Sequence, residues 1–267
     1  MMETQVVAFL LILTRISVFV GFFTLFAFRS LPTLVKAGIA VSLTIFWYGE
    51  IIGYSEDLAG QDLGIITGSM LFAREIIIGI LLTVALNMFF MPCKIAGAYI
   101  GQEMGLSLAS ISSPGTPDSG TLVTRVFEAF TILGFFALNL HHFMMLVIDY
   151  SFRIFTNKEN ILGFDNKFNV FNLPVEEIAT MLNESSDYGL LVVAPLAIIL
   201  AVVTVGLAIL NRVAPTMNLF SIGLSIRTGF GIFCLAMLVP VFFGAIQGYL
   251  FRVQVDIEQL LYLFRFG

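Results

Sequence analysis

The sequence predicts an all-α, polytopic membrane-associated protein built of helical hairpins, and three observations carry that prediction. Of its 267 residues 58% are hydrophobic and only 12% charged, about half the charge of an ordinary soluble domain. About six segments approach the roughly 20 apolar residues that a spanning helix needs. The 28 Phe residues suit a lipid-facing or helix-packing surface better than an aqueous one, and mean hydropathy is +0.98. A net charge of −5 without any basic run gives no support to a nucleic-acid partner.

The first segment, about 6–28, carries Arg15 in its middle and is preceded by Glu3 rather than by a basic cluster. It exceeds the ~7–15 residues of a signal-peptide core, so an uncleaved first helix is expected. Pro32 suits the first turn of the second segment, about 34–52. An acidic loop, Glu56 to Asp62, leads to the third, about 70–93, which opens with Arg74-Glu75 and is expected to run through Pro92. Beyond it Gly97, Gly101 and Gly105 recur every four residues, so a helix there would present a bare face to another backbone. Gln102 and Glu103 sit inside that pattern. After Ala109 the composition turns to Ser110, Ile111, Ser112, Ser113, Pro114, Gly115, Thr116, Pro117 and Asp118, which cannot continue a helix. Polar irregular backbone between membrane-grade helices is tolerated only beside protein or a water-filled cavity, which makes this loop the candidate functional centre.

The fourth segment, about 126–151, carries Glu128, Asn139, His141, His142 and Asp149. A polar insert, 152–188, follows. Within it Asn172, Pro174, Glu176 and Glu177 read as a helix start, with acid at the positive end of the dipole. Val175, Ile178, Ala179 and Leu182 then predict a short amphipathic helix. The fifth and sixth segments, about 189–211 and 220–250, form a hairpin joined at residues 211–218, with Pro240 expected to kink or break the second arm. In the tail, Leu250, Val253, Ile257, Leu260, Leu261 and Phe264 make a stripe interleaved with polar residues, as an interfacial or partner-docking helix would. Six basic residues on one side of such spans against five on the other barely orient the chain, leaning toward both termini outside. So small a bias also fits hairpins assembled against protein.

Arg15, Arg74, Glu75, Glu128 and Asp149 lie in or beside apolar segments. An ionised group at mid-membrane costs ~2.5–3.5 kcal/mol on insertion scales, so these should turn inward and pair, Arg15 or Arg74 with Glu75 or Glu128. Such pairs either lock helix packing or line an ion path. His141 and His142 point about 100° apart on a helix and cannot ligate one metal from one face. Cys93 and Cys234 have neither disulfide nor metal spacing and read as small buried thiols. No catalytic or phosphate-loop motif occurs, so no cofactor, metal or enzymatic activity is expected.

In order along the chain, Arg15, Leu31-Pro32 and Lys36, Glu75 and Gly79, Gly97-x-x-x-Gly101-x-x-x-Gly105-Leu106-x-Leu108-Ala109-Ser110, Asn139-x-His141 and Ser151-Phe152 lead to Arg212-Val213-Ala214-Pro215-Thr216-Met217-Asn218-Leu219-Phe220-Ser221-Ile222-Gly223. This ordered set resembles the FliR proteins of the flagellar export apparatus and their SctT/YscT relatives in virulence type III secretion. It departs from them at Ser113, where Asp is usual before the proline, and at Leu140, where Gly is usual. The resemblance implies a non-enzymatic core subunit of the export gate in the bacterial inner membrane, at a flagellar basal body or type III secretion base. Its partners would be FliP-like and FliQ-like proteins, together with FlhB-like and FlhA-like proteins and unfolded secreted substrates. It further implies a FliP-like part, 1–188, with a plug loop at about 110–121, and a FliQ-like hairpin, 189–267. Arg212, Pro215, Asn218 and Gly223 would belong to the hairpin motif. Two other classes stay open on the residues alone: a secondary transporter with an ion site near Glu103, and an intramembrane enzyme using His141 and Glu128.

Overall fold

In a computed structural model, residues 2–27, 31–47, 49, 65–106, 121–155, 175–213 and 219–266 are described. Among them the chain forms nine helices and no strand: α1 (Met2–Phe22), α2 (Thr24–Ala27), α3 (Thr33–Phe46), α4 (Ile65–Asn87), α5 (Met91–Glu103), α6 (Leu122–Ala137), α7 (Leu140–Phe155), α8 (Val175–Val213) and α9 (Leu219–Phe266). Four helices are long and apolar enough to cross a membrane, and up to five spans result if α6 and α7, bent by 74°, count as one. The all-α membrane architecture therefore stands, with fewer full-length spans than the six apolar segments suggested. The second segment makes the difference. Its helix α3 has 14 residues and reaches only ~21 Å at 1.5 Å per residue, short of a ~30 Å hydrocarbon core.

The helices group into two units. The first takes Met1–Asn87, Leu140–Ala179 and Val255–Gly267; the second takes Met88–Asn139 and Thr180–Gln254. Within the first, α1 packs on α3 and α4. Gly79 permits the α1–α4 approach, since a Cβ there would stand 2.9 Å from the Arg15 carbonyl oxygen and 3.1 Å from Val18 Cβ. The break between α1 and α2 is satisfied from α4: Asn87 Oδ1 accepts from the Thr24 N–H (2.8 Å) and its Nδ2 donates to the Phe22 carbonyl (3.2 Å). Phe19 and Phe23 stack beside that break with ring centroids 4.9 Å apart. Where α3 ends, Trp47 is buried and its indole N–H donates to Asp149 Oδ1 on α7 (3.2 Å).

The local course differs from expectation wherever a backbone rule outweighs apolar composition. The third segment stops at Asn87, turns through Met88–Phe90 and restarts as α5. Pro92 sits in the first turn of that new helix, because inside a continuous one its ring would meet the Met88 carbonyl. Arg74 and Glu75 lie well inside α4, which begins at Ile65. The fourth segment is two helices, and Asn139 at the corner has φ 57. Asn tolerates this left-handed region because its short polar side chain bonds locally. Conversely, the short helix expected from Val175 does not stop; it continues as the fifth segment in the 39-residue α8. Nor does Pro240 break α9, which runs uninterrupted for 48 residues and takes in the tail. Of the tail stripe, Leu250, Val253 and Ile257 are buried.

The corner residue is directly testable. Asn139→Val should lower stability in detergent by ~1–2 kcal/mol, since a β-branched side chain is strained at positive φ. Asn139→Gly should be near neutral, and thermal unfolding of the two purified variants reads the difference.

Candidate functional site

Three positions on the predicted glycine face have two different tasks. Gly97 and Gly101 lie buried on α5 against the start of α6. A Cβ at Gly97 would stand 2.5 Å from Thr124 Cα, and one at Gly101 would stand 2.1 Å from Thr121 Oγ1. The first is a clash with backbone, which cannot swing away. Gly105 is no longer on the helix. Its φ of +76 places it in the left-handed conformation just past the C-cap residue Met104. The Leu106 N–H then reaches back to the Gly101 carbonyl (2.9 Å) and the Gly105 N–H to that of Gln102 (3.0 Å). Those two bonds form a Schellman cap, which ends the helix and satisfies its last carbonyls. The helix therefore stops at Glu103, six residues before the Ser/Pro/Gly/Thr run that was expected to end it.

On the other side of the loop, Thr121 is the N-cap of α6. It has extended backbone (φ −67, ψ 159), and its Oγ1 accepts from the Thr124 N–H (3.3 Å). The Oγ atoms of Thr121 and Thr124 lie 2.9 Å apart. Because Thr121 rests on Gly101, the chain leaves α5 and re-enters α6 at one place. Residues Ser110 to Asp118 of the candidate plug lie between these two caps, outside the described residues.

A third element closes on the same place. From α9, Thr228 Oγ1 donates to the Met104 carbonyl (2.8 Å). Leu224 Cδ1 covers Gly105, and Gly231 makes room for the Met104 side chain, whose sulfur lies 3.1 Å from where a Cβ would be. Met104 is fully buried. Glu103 is half-buried at the last helical position and Gln102 is exposed. Farther along α9, the buried Tyr249 hydroxyl donates to the Met88 carbonyl (2.7 Å) and stands 2.8 Å from Ser185 Oγ.

Of the candidate charged residues, the structure brings Arg15 and Glu75 together in the first unit. The Arg15 Nε–Glu75 Oε2 distance is 2.6 Å and both side chains are 2% exposed. The guanidinium also lies over the Phe152 ring, 4.5 Å from its centroid, and 3.3 Å from Ser151 Oγ, so it ties α1 to both α4 and α7. Arg74 is buried beside Glu75 in the sequence of α4, whereas Glu128 is half-buried on α6 in the second unit. Asp149 pairs with Arg153 one turn on (3.0 Å). His141 is half-buried and His142 exposed, with ring centroids 4.4 Å apart. No group of three or more His, Cys, Asp or Glu side chains is placed to hold a metal among the described residues. Both cysteines are buried. In the hairpin motif Arg212 is exposed, Gly223 is buried with Leu207 Cδ1 3.5 Å from its missing Cβ, and Pro215 and Asn218 lie outside the described residues.

Sequence reasoning missed Thr121, Thr124, Thr228 and Tyr249. Thr121 was the findable one, as a Thr directly before an apolar run, the signature of an N-cap. The others act across 124 and 161 positions, Thr228 to Met104 and Tyr249 to Met88, and no local pattern marks such partners.

Two sets of variants test this geometry. Gly97→Ala should cost ~1–3 kcal/mol by overpacking. Gly206→Ala, where nothing lies within 4 Å, should be neutral or gain up to ~1 kcal/mol from helix propensity; thermal unfolding in detergent compares them. Glu75→Ala strands a buried guanidinium and should cost ~3–5 kcal/mol, much of it recovered in the double variant Arg15→Met/Glu75→Leu.

Comparison with known proteins covers this site and the hairpin alike. The family described as "Bacterial export proteins, family 1" matches residues 6–253. The flagellar biosynthetic protein FliR of Bacillus subtilis is 28% identical over 242 residues, 90% of this chain and 89% of the relative. FliR of Escherichia coli is 26% identical over 215 residues, covering 80% and 77%. The surface presentation of antigens protein SpaR of Shigella flexneri is 25% identical over 181 residues, 67% of each. The chain thus belongs to family 1 of the bacterial export proteins, as a membrane subunit of a type III export apparatus.

Proposed function

We propose that this protein is a non-enzymatic core subunit of the type III export gate and that residues 110–118 plug its pore. The observation supporting this reading is the pair of caps on Gly101. The Schellman turn at Gly105 ends α5, and the Thr121 cap starts α6 on top of the same glycine. A segment anchored in this way can be drawn aside without unravelling either helix. Its Ser, Pro, Gly and Thr composition suits a water-filled pore, offering little apolar area to hold it in place.

On the same reading, FliP-like and FliQ-like subunits complete the pore wall in the bacterial inner membrane, with FlhB-like and FlhA-like proteins beside it. The first part, 1–188, takes a FliP-like place and the remainder, 189–267, a FliQ-like place. Unfolded polypeptide passes when the plug moves. Glu103 and the Gly97–Gly101 face would then stand at the plug's root.

Deleting residues 110–118 while keeping Thr121 tests the plug. The expected result is normal co-purification of the variant with the partner subunits and a raised resting ion leak across the membrane. A leak equal to that of the intact chain in an assembled complex would refute the plug role.

A further inference from the structure

The Thr228 hydroxyl has one proton and two acceptors within reach. The Met104 carbonyl lies at 2.8 Å and the Leu224 carbonyl, one turn back on α9, at 2.9 Å. Met104 is the C-cap of α5, where carbonyls lack partners within their own helix, and it is fully buried. We infer that Thr228 is a positioning residue that latches the C-terminal end of α5 to α9 and can release it by handing its proton to Leu224.

Three features on the two helices fit together in the latched arrangement. Leu224 lies over Gly105, whose φ of +76 and missing Cβ leave that space open. Gly231, two turns farther along α9, receives the Met104 side chain. Between them Thr228 supplies the polar contact to the Met104 carbonyl. Release costs little on the α9 side, because the hydroxyl keeps a hydrogen bond inside its own helix, as Thr commonly does to the i−4 carbonyl. It costs more on the α5 side, where the Met104 carbonyl must find water or another donor. That asymmetry suits a contact which is normally closed and opens when water enters. A valine of the same shape would keep the packing and lose the latch. A serine would keep the latch.

The inference rests on the export-gate reading, and it stands on α5 and α9 rather than on the segment between the caps. Its test uses the full chain in cells lacking their own copy, with three readouts: co-purification with partner subunits, secretion of an exported protein, and resting ion leak. The intact chain restoring secretion sustains the export reading; failure to do so removes that reading and the latch with it. Thr228→Val is expected to assemble normally and raise the resting leak roughly 2- to 12-fold, the equilibrium shift that one neutral hydrogen bond is worth. Thr228→Ser should return the leak to that of the intact chain. Leu224→Ala, which uncovers Gly105 and leaves the hydroxyl in place, should raise the leak less than Thr228→Val. It also serves as the second variant if Thr228→Val is lost before assembly. Secretion restored with Thr228→Val at the unaltered leak overturns the latch alone, as does a leak that Thr228→Ser shares or one that Leu224→Ala leaves unmoved.

Discussion

Two backbones can touch only where one of them has no side chain, and Gly97 is where α5 meets that condition. With Thr124 Cα 2.5 Å from its absent Cβ, α6 has no room to retreat into, and its N-terminus is set one helical turn from Gly101. The rest of the site follows from this contact. Thr121 can cap α6 and rest on Gly101 only because the helices are already this close. Leu106 and Gly105 can close the Schellman turn within the same small volume. In a chain whose polar surface is scarce, apolar attraction between helices in lipid has little power to discriminate one packing from another. Close backbone approach discriminates through dispersion and through the strict exclusion of any larger residue.

Much of this was legible in the amino-acid sequence, and the limits are physical. The four-residue glycine spacing gave away the face of α5, because a helical repeat is local. The same repeat misassigned Gly105, whose importance lies in its positive φ and not in its small size. Apolar composition marked the long helices but not their breaks. Pro92 at the start of α5 and Asn139 at the 74° corner between α6 and α7 each obey a backbone rule that hydropathy does not register. Pro240 shows the opposite case, for a single missing N–H did not interrupt a helix held by buried residues on either side, Cys234 and Phe242 among them. Arg15 and Glu75 were identifiable as needing partners, since unpaired charge in an apolar segment is costly. That they would choose each other, with Glu128 in another unit, required the fold. Thr228 and Tyr249 carried no signal at all, because a hydroxyl in an apolar helix more often bonds its own i−4 carbonyl.

The two units are held by different chemistry, and the difference bears on which of them can rearrange. In the first, the Arg15–Glu75 pair is buried from solvent and braced by Phe152 and Ser151. Separating it would leave two uncompensated charges in an apolar interior, a cost of several kcal/mol. Neither group has a second partner of equal quality on its own helix, so there is no inexpensive alternative state. In the second unit the cross-helix bonds are neutral. Thr228 to Met104 and Tyr249 to Met88 each join a hydroxyl to a carbonyl, and such a bond is worth about 1 kcal/mol net. For Thr228, moreover, a replacement acceptor already lies 2.9 Å away on its own helix.

A gate needs both kinds of contact. Something must stay fixed so that motion elsewhere has a frame, and something must yield at an energy that an entering polypeptide can supply. An ion pair sealed in an apolar interior meets the first need because its alternatives are all costly. An exchangeable hydroxyl at the end of α5 meets the second because one alternative is nearly free. The glycine contact at Gly97 stands between the two. It is as unyielding as the ion pair, since backbone cannot be compressed, yet it contains no bond to break. Movement at the site should therefore carry α5 and α6 together and concentrate where Met104 meets α9.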